Sequence, residues 1–171
     1  MPKPLKENIC EEHLFSSIFR KHSKDLNDFL FYKFGGQLNP QDKMQEAFVK
    51  LWENCAKIPQ NKAKSFLFTT ANNLMLNEFA HRKVVLRHQK IKPKHSTNLT
   101  PEFLLEEKEY KEKLENAIAN LTEAQRVAFL MNRVEGKRFK EIAQLLDIST
   151  KAVEKRIYGA LKKLRKDIDE I

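Results

Sequence analysis

Apolar side chains in this chain recur at intervals of three and four, and no stretch settles into the strict alternation of a half-buried strand. Only four glycines occur in 171 residues, so the chain has few points of free reversal. Together these predict an all-α protein. A first helix is read over 11–34, with Leu14, Ile18, Leu26, Phe29 and Leu30 as core side chains. The run "GGQLNP" ends it. Asn39 suits an N-cap and Pro40 a first helical position, so a second helix is expected over 40–55, stopping before Pro59. A third is expected over 63–84.

The composition then changes. Between Arg82 and Lys94 lie six Lys/Arg and no acid, followed by the small polar stretch "STNLTPEF". Six glutamates among three lysines come next, from Glu102 to Glu115, and helical periodicity resumes. This predicts two small helical modules, 1–86 and 109–171, joined by a flexible linker over 87–108.

Lys and Arg outnumber Asp and Glu by 32 to 23, a net charge of +9, which favours a polyanionic partner and nucleic acid ahead of membrane. No apolar run approaches the ~20 residues of a membrane span. The start "MPKPLKENICEEH" lacks the apolar stretch of a signal peptide. Cys10 and Cys55 have no metal-ligand spacing, so reduced thiols in a cytoplasm are expected. His81, His88 and His95 recur every seven residues but span the change from helix to arm, so neither metal nor cofactor is expected.

In the second module, Thr122 and Gln125 form a capping-box pair and Gly136 a C-terminal stop. A following helix carries Ile142, Ala143 and Leu146, with the small Ala143 where two helices would cross. Asp147 and Ile148 make a turn, and Ser149 caps the next helix. There Val153, Ile157, Ala160 and Leu164, spaced 4, 3 and 4, form an apolar stripe. At ~100° per residue, Lys151, Lys155, Tyr158 and Lys162 fall opposite. A helix seated by its apolar side with lysines outward is the geometry of a major-groove reader.

The first module carries a different surface. In "PQDKMQEAFVKLWENC", Met44, Phe48, Leu51, Trp52 and Cys55 take the core side. Asp42, Gln45, Glu46, Val49 and Glu53 point away. An acidic face repels phosphate, and an apolar Val49 among the acids favours a protein partner. In the third helix Leu67, Phe68, Ala71, Leu74, Met75, Leu76 and Phe79 make a broad apolar surface. Phe66, Thr70, Asn73, Asn77 and His81 form one polar stripe. Amides can hydrogen-bond base edges, an aromatic ring can stack on an unpaired base, and Arg82 and Lys83 can neutralise phosphate.

Taken in order, "QDKMQEAFVKLWEN", "SFLFTTANNLMLNEFAHRK" and "LTEAQRVAFLMNRVEGKRFKEIAQLLDISTKAVEKRI" resemble the extracytoplasmic-function group of bacterial RNA polymerase sigma factors. The first two resemble region 2 and the third region 4. The resemblance implies a regulatory subunit and not an enzyme. It binds core RNA polymerase and directs promoter-specific initiation, with region 2 recognising and melting the −10 element and region 4 recognising the −35 element. It implies that Asp42, Gln45, Glu46 and Val49 face the polymerase clamp helices, with the flap meeting region 4. Phe66, Asn73, Asn77, Arg82 and Lys83 would meet single-stranded −10 DNA. Lys151, Glu154, Lys155, Arg156 and Tyr158 would meet the −35 duplex. An anti-sigma factor is a further candidate partner.

This chain departs from the family at three positions: Phe66 stands where many members carry Trp, Glu154 where arginine or serine is common, and Gly159 where arginine is common. A glutamate repels phosphate but can accept from the cytosine amino group. Two rival readings remain at this point. A stand-alone helix-turn-helix regulator leaves the acidic helix without a role. A nucleic-acid enzyme would need more than the single carboxylate pair Asp42 and Glu46.

Overall fold

The computed structural model describes residues 8–88 and 102–169, with side chains over 8–82 and 108–168. The described residues form α1 (Glu12–Phe34), a 3-10 turn (Gly36–Leu38), α2 (Pro40–Glu53), α3 (Gln60–His88), α4 (Glu102–Ala119), α5 (Glu123–Arg133), α6 (Phe139–Leu146) and α7 (Thr150–Asp169). The all-α expectation holds. The chain divides into two compact units, Met1–Lys90 and Ile91–Ile171. Helix α3 reaches His88 and α4 begins at Glu102, so helix enters both ends of the expected arm; residues 89–101 and His95 with them lie outside the described residues.

In the first unit α1, α2 and α3 pack pairwise around Ile18, Leu26, Leu30, Met44, Ala47, Phe48, Leu51, Leu67, Ala71 and Met75. Each fully buried Leu contributes about 1.5–3 kcal/mol relative to an exposed one. Leu14 and Phe29, read as core, are only half-buried. Asn39 stands at the head of α2, but its backbone is left-handed (φ 48°) and its side chain makes no capping bond. The chain reverses there directly after the 3-10 turn, and Pro40 needs no amide partner.

Trp52 is not a core residue. It is 45% exposed, whereas Ala47 is fully buried. The buried stripe of α2 is Met44, Ala47, Phe48 and Leu51. At ~100° per residue this centres the stripe on the Ala47 side and leaves Trp52 on its rim. Trp52→Ala therefore removes a rim contact and leaves no core cavity. Leu76 and Phe79 are likewise exposed, at 45% and 53%. Lys33, next to the last residue of α1, bonds Asn72 at 2.7 Å. Phe79 lies seven residues further on, about 10 Å at the helical rise, where α1 no longer covers it.

Cys10 and Cys55 are joined in a disulfide, against the expectation of reduced thiols. A separation of 45 residues hides this pairing from sequence. Burial of Ile9 in the core brings the preceding arm back to the turn after α2, where Asn8 also bridges Pro59.

His22 on α1 is half-buried beside Lys21 and Lys64, and its pKa is lowered. Burial is the main cause; the two lysines add to it and Asp25 opposes. The folded state thus holds fewer protons than the unfolded chain just below the unfolded pKa. The stabilisation is complete above about pH 6.5 and is lost as pH falls towards the folded value. Thermal melts at pH 7.5 and 5.5 are expected to show a larger acid loss for the native chain than for His22→Gln.

In the second unit α7 is the hub, packing on α4, α5 and α6. Val127, Met131, Ile142, Ala143, Val153 and Ile157 are buried there, and Ala117, Leu121, Ala160 and Leu164 form a cluster towards α4.

Candidate functional site

The turn between α6 and α7 forms as its residues dictate. Asp147 adopts the left-handed conformation (φ 55°), and the Ile148 amide donates to the Ala143 carbonyl at 3.0 Å. Ser149 Oγ then accepts from the Ala152 amide at 3.1 Å, capping α7. Thr122 and Gln125 close a reciprocal capping box on α5. Gly136 takes a left-handed φ of 65°, three residues after α5 ends, and the Lys137 amide reaches back to the Met131 carbonyl. Ala143, 6% exposed, lets α6 seat closely on α7.

Val153, Ile157, Ala160 and Leu164 hold the inner side of α7, none more than 5% exposed. Lys151, Glu154, Lys155 and Tyr158 are exposed, and Arg156 is half-buried. Four of the five side chains expected on this helix thus reach solvent fully. The Tyr158 ring meets Phe139, the first residue of α6, edge-on at 6.4 Å and 87°. A Cβ on Gly159 would stand 2.8 Å from Gln125 Nε2. The Oε1 of the same side chain accepts the Thr122 N–H at 3.3 Å, so a larger residue would push Gln125 out of its cap. One turn further along the same side, Lys163 Nζ bonds the Asn120 carbonyl and ties α7 to the α4–α5 turn.

On the first unit Asp42, Gln45 and Val49 are exposed, Val49 at 56%. Glu46 is half-buried and pairs with Lys43 at 3.3 Å. Lys43 also approaches Glu78 at 3.8 Å, and Arg82 Nε donates to Glu78 at 3.2 Å. Arg82 Nη1 donates to the Gln37 carbonyl at 2.6 Å. The acidic face of α2 is thereby linked through ion pairs to α3. Arg82, expected at phosphate, is engaged within the unit.

On α3, Asn73 and Asn77 are exposed on one side, and Leu76 is exposed between them in sequence. Phe66 is half-buried and packs against the core. The side chain of Lys83 lies outside the described residues.

Residues 18–84 match the family model described as Sigma-70 region 2, and residues 111–164 match Sigma-70, region 4. The chain is 25% identical over 151 residues to the ferric citrate uptake sigma factor FecI of Escherichia coli K12, covering 86% of this chain and 87% of that protein. It is 22% identical over 167 residues to the ECF RNA polymerase sigma factor SigX of Bacillus subtilis 168, covering 92% and 85%. The chain belongs to the extracytoplasmic-function group of sigma-70 factors. Its activity is promoter-specific transcription initiation, as a regulatory protein.

Region 2 of this sigma factor takes in most of α1, all of α2 and most of α3; region 4 takes in the second half of α4, α5, α6 and most of α7. No helix among the described residues is long and apolar enough to cross a membrane. Several surface features of the sigma factor escape sequence pattern. Phe139 and Tyr158 are 19 positions apart on different helices, so no periodicity links them. A corner of half-buried Phe15 with exposed Phe19 and Trp52 sits where α1 meets α2, with Phe15 and Trp52 edge-on at 5.0 Å. Arg138 and Lys140 at the start of α6 are exposed and basic, a signal that was present in the sequence but unassigned.

Proposed function

We propose that this sigma factor binds core RNA polymerase through α2 and divides promoter recognition between its two units. Asp42, Gln45 and Val49, with Glu46 at their edge, face the clamp helices of the polymerase; region 4 meets the flap. Asn73 and Asn77 on α3 read unpaired −10 bases, with Leu76 as an apolar neighbour and Phe66 and Lys83 at the border of the site. Arg82 acts by holding α3 against the 3-10 turn, a bond that supports this role over direct phosphate contact. On α7, Lys155, Tyr158 and Glu154 read −35 base edges while Lys151 and Arg156 meet phosphate. Arg138 and Lys140 add flanking phosphate contacts. An anti-sigma factor competing for α2 and a cytoplasmic site of action fit the same reading.

The observation that carries it is the capped helix α7. Its apolar stripe is seated on α4, α5 and α6, and Lys151, Lys155 and Tyr158 stand in the open on the first half of its length. In vitro transcription with core polymerase on a promoter library tests the whole scheme: a single pair of elements should be enriched, and only with the intact chain. Asn73→Ala with Asn77→Ala should leave polymerase binding unchanged. It should reduce open-complex formation, read by permanganate reactivity, by about 30-fold or more, from a loss of about 1–3 kcal/mol for each of the two base-reading contacts. Normal opening by the double variant would return these amides to a merely solvated role.

A further inference from the structure

We infer that Cys10 and Cys55 form a thiol–disulfide exchange site whose state sets the order of the aromatic corner at Phe15 and Trp52. The bridge joins the segment before α1 to the turn after α2. Phe15 lies five residues after Cys10, and Trp52 three residues before Cys55. These two rings meet edge-on at 5.0 Å, and Phe15 also meets Phe48 at 6.1 Å. The covalent link thus closes a small ring of structure around the contact and fixes the head of α1 against the tail of α2. Both cysteines are half-buried rather than sealed in the core, and the sequence has no third cysteine to divert the exchange.

Without the bond the arm keeps, among the described residues, the burial of Ile9 and the pairing of Asn8 with Pro59. Reduction therefore loosens the corner and leaves the three-helix core intact. The partner reagent is a dithiol. Its thiolate attacks one sulfur of the bridge, and the other sulfur leaves as a thiolate and takes a proton. The reductant's second thiol then resolves the mixed disulfide, freeing the second cysteine as a thiol and leaving the reductant as a disulfide. Two electrons and two protons pass to the protein. Trp52 lies one turn from Val49 on the exposed side of α2, so the state of the bridge bears on the surface proposed above for polymerase. This last step rests on that reading; the exchange and its effect on the corner do not.

Trp52 is the single tryptophan of the chain, so quenching of its emission by acrylamide reads the corner directly. In the full chain, dithiothreitol should release thiols and preserve helical circular dichroism. It should raise the quenching constant about twofold, as local opening exposes the indole. Cys10→Ser and, separately, Cys55→Ser should match the reduced chain with or without reductant. Association of the full chain with core polymerase should weaken about fivefold on reduction, the loss expected if about a fifth of the population keeps the ordered corner. An unchanged quenching constant or a loss of helical signal on reduction would each overturn the inference, while equal polymerase affinity in the two states would overturn its last step alone. Should Trp52 respond while neither state binds polymerase, the exchange site stands and the polymerase reading of α2 falls.

Discussion

Replacing Asp42 and Glu46 by lysine is expected to weaken association with core RNA polymerase by about 100-fold or more, the scale of setting like charges against each other across an interface. Both residues lie off the buried stripe of α2, which Met44, Ala47, Phe48 and Leu51 supply. Helical content should therefore persist. Two local costs accompany the change. Asp42 sits in the first turn of α2, where a carboxylate favours the helix dipole by about 0.3–1 kcal/mol. Glu46 is the partner of Lys43, so a lysine there meets a like charge. Glu46→Gln separates these effects, since it removes the ion pair without reversing the charge. Gel-filtration competition for core polymerase, beside circular dichroism of the free chain, would measure both. A folded reversal variant that binds polymerase normally would place the contact elsewhere.

The second large effect concerns α7. Lys155→Ala is expected to cost about 1–3 kcal/mol on the preferred −35 sequence and to flatten preference at one base pair. Tyr158→Ala should act the same way at a neighbouring position. Phe139→Ala should reproduce part of that loss, because it removes the ring that meets Tyr158 edge-on. Lys151→Ala should instead weaken all sequences alike and lower the salt slope by about one. Arg156, half-buried, should give a smaller change of the same kind. Glu154→Ala separates two outcomes. Lost specificity means the carboxylate accepts from a cytosine amino group, and uniformly tighter binding means it only repels phosphate. Holoenzyme titrations on a set of −35 variants at several salt concentrations read all of these. If no substitution changes affinity or preference, α7 does not face DNA.

Much of the architecture was legible because it rests on local rules. The 4, 3, 4 spacing of Val153, Ile157, Ala160 and Leu164 faces the core as its period requires, and the Ser149 cap and the Thr122–Gln125 box form as residue type dictates. The same rules mislead at the rim of a bundle. Helical projection cannot tell Ala47 from Trp52 as the centre of a stripe, since the answer depends on where α1 and α3 approach. Nor does composition show that Arg82 would spend its guanidinium on Glu78 and the Gln37 carbonyl.

The sequence by itself determined the helical class, the caps of α5 and α7, the turn between α6 and α7, the outward lysines of α7 and the order of motifs that marks a sigma factor. The caps, the turn and the outward lysines depend on residues within about two helical turns of one another, a range over which chain geometry is nearly fixed. Tertiary structure alone decided the Cys10–Cys55 bridge, the exposure of Trp52, Leu76 and Phe79, and the pairing of Phe139 with Tyr158. Those depend on contacts between segments far apart in sequence, whose meeting is set by how the helices pack and where each one ends.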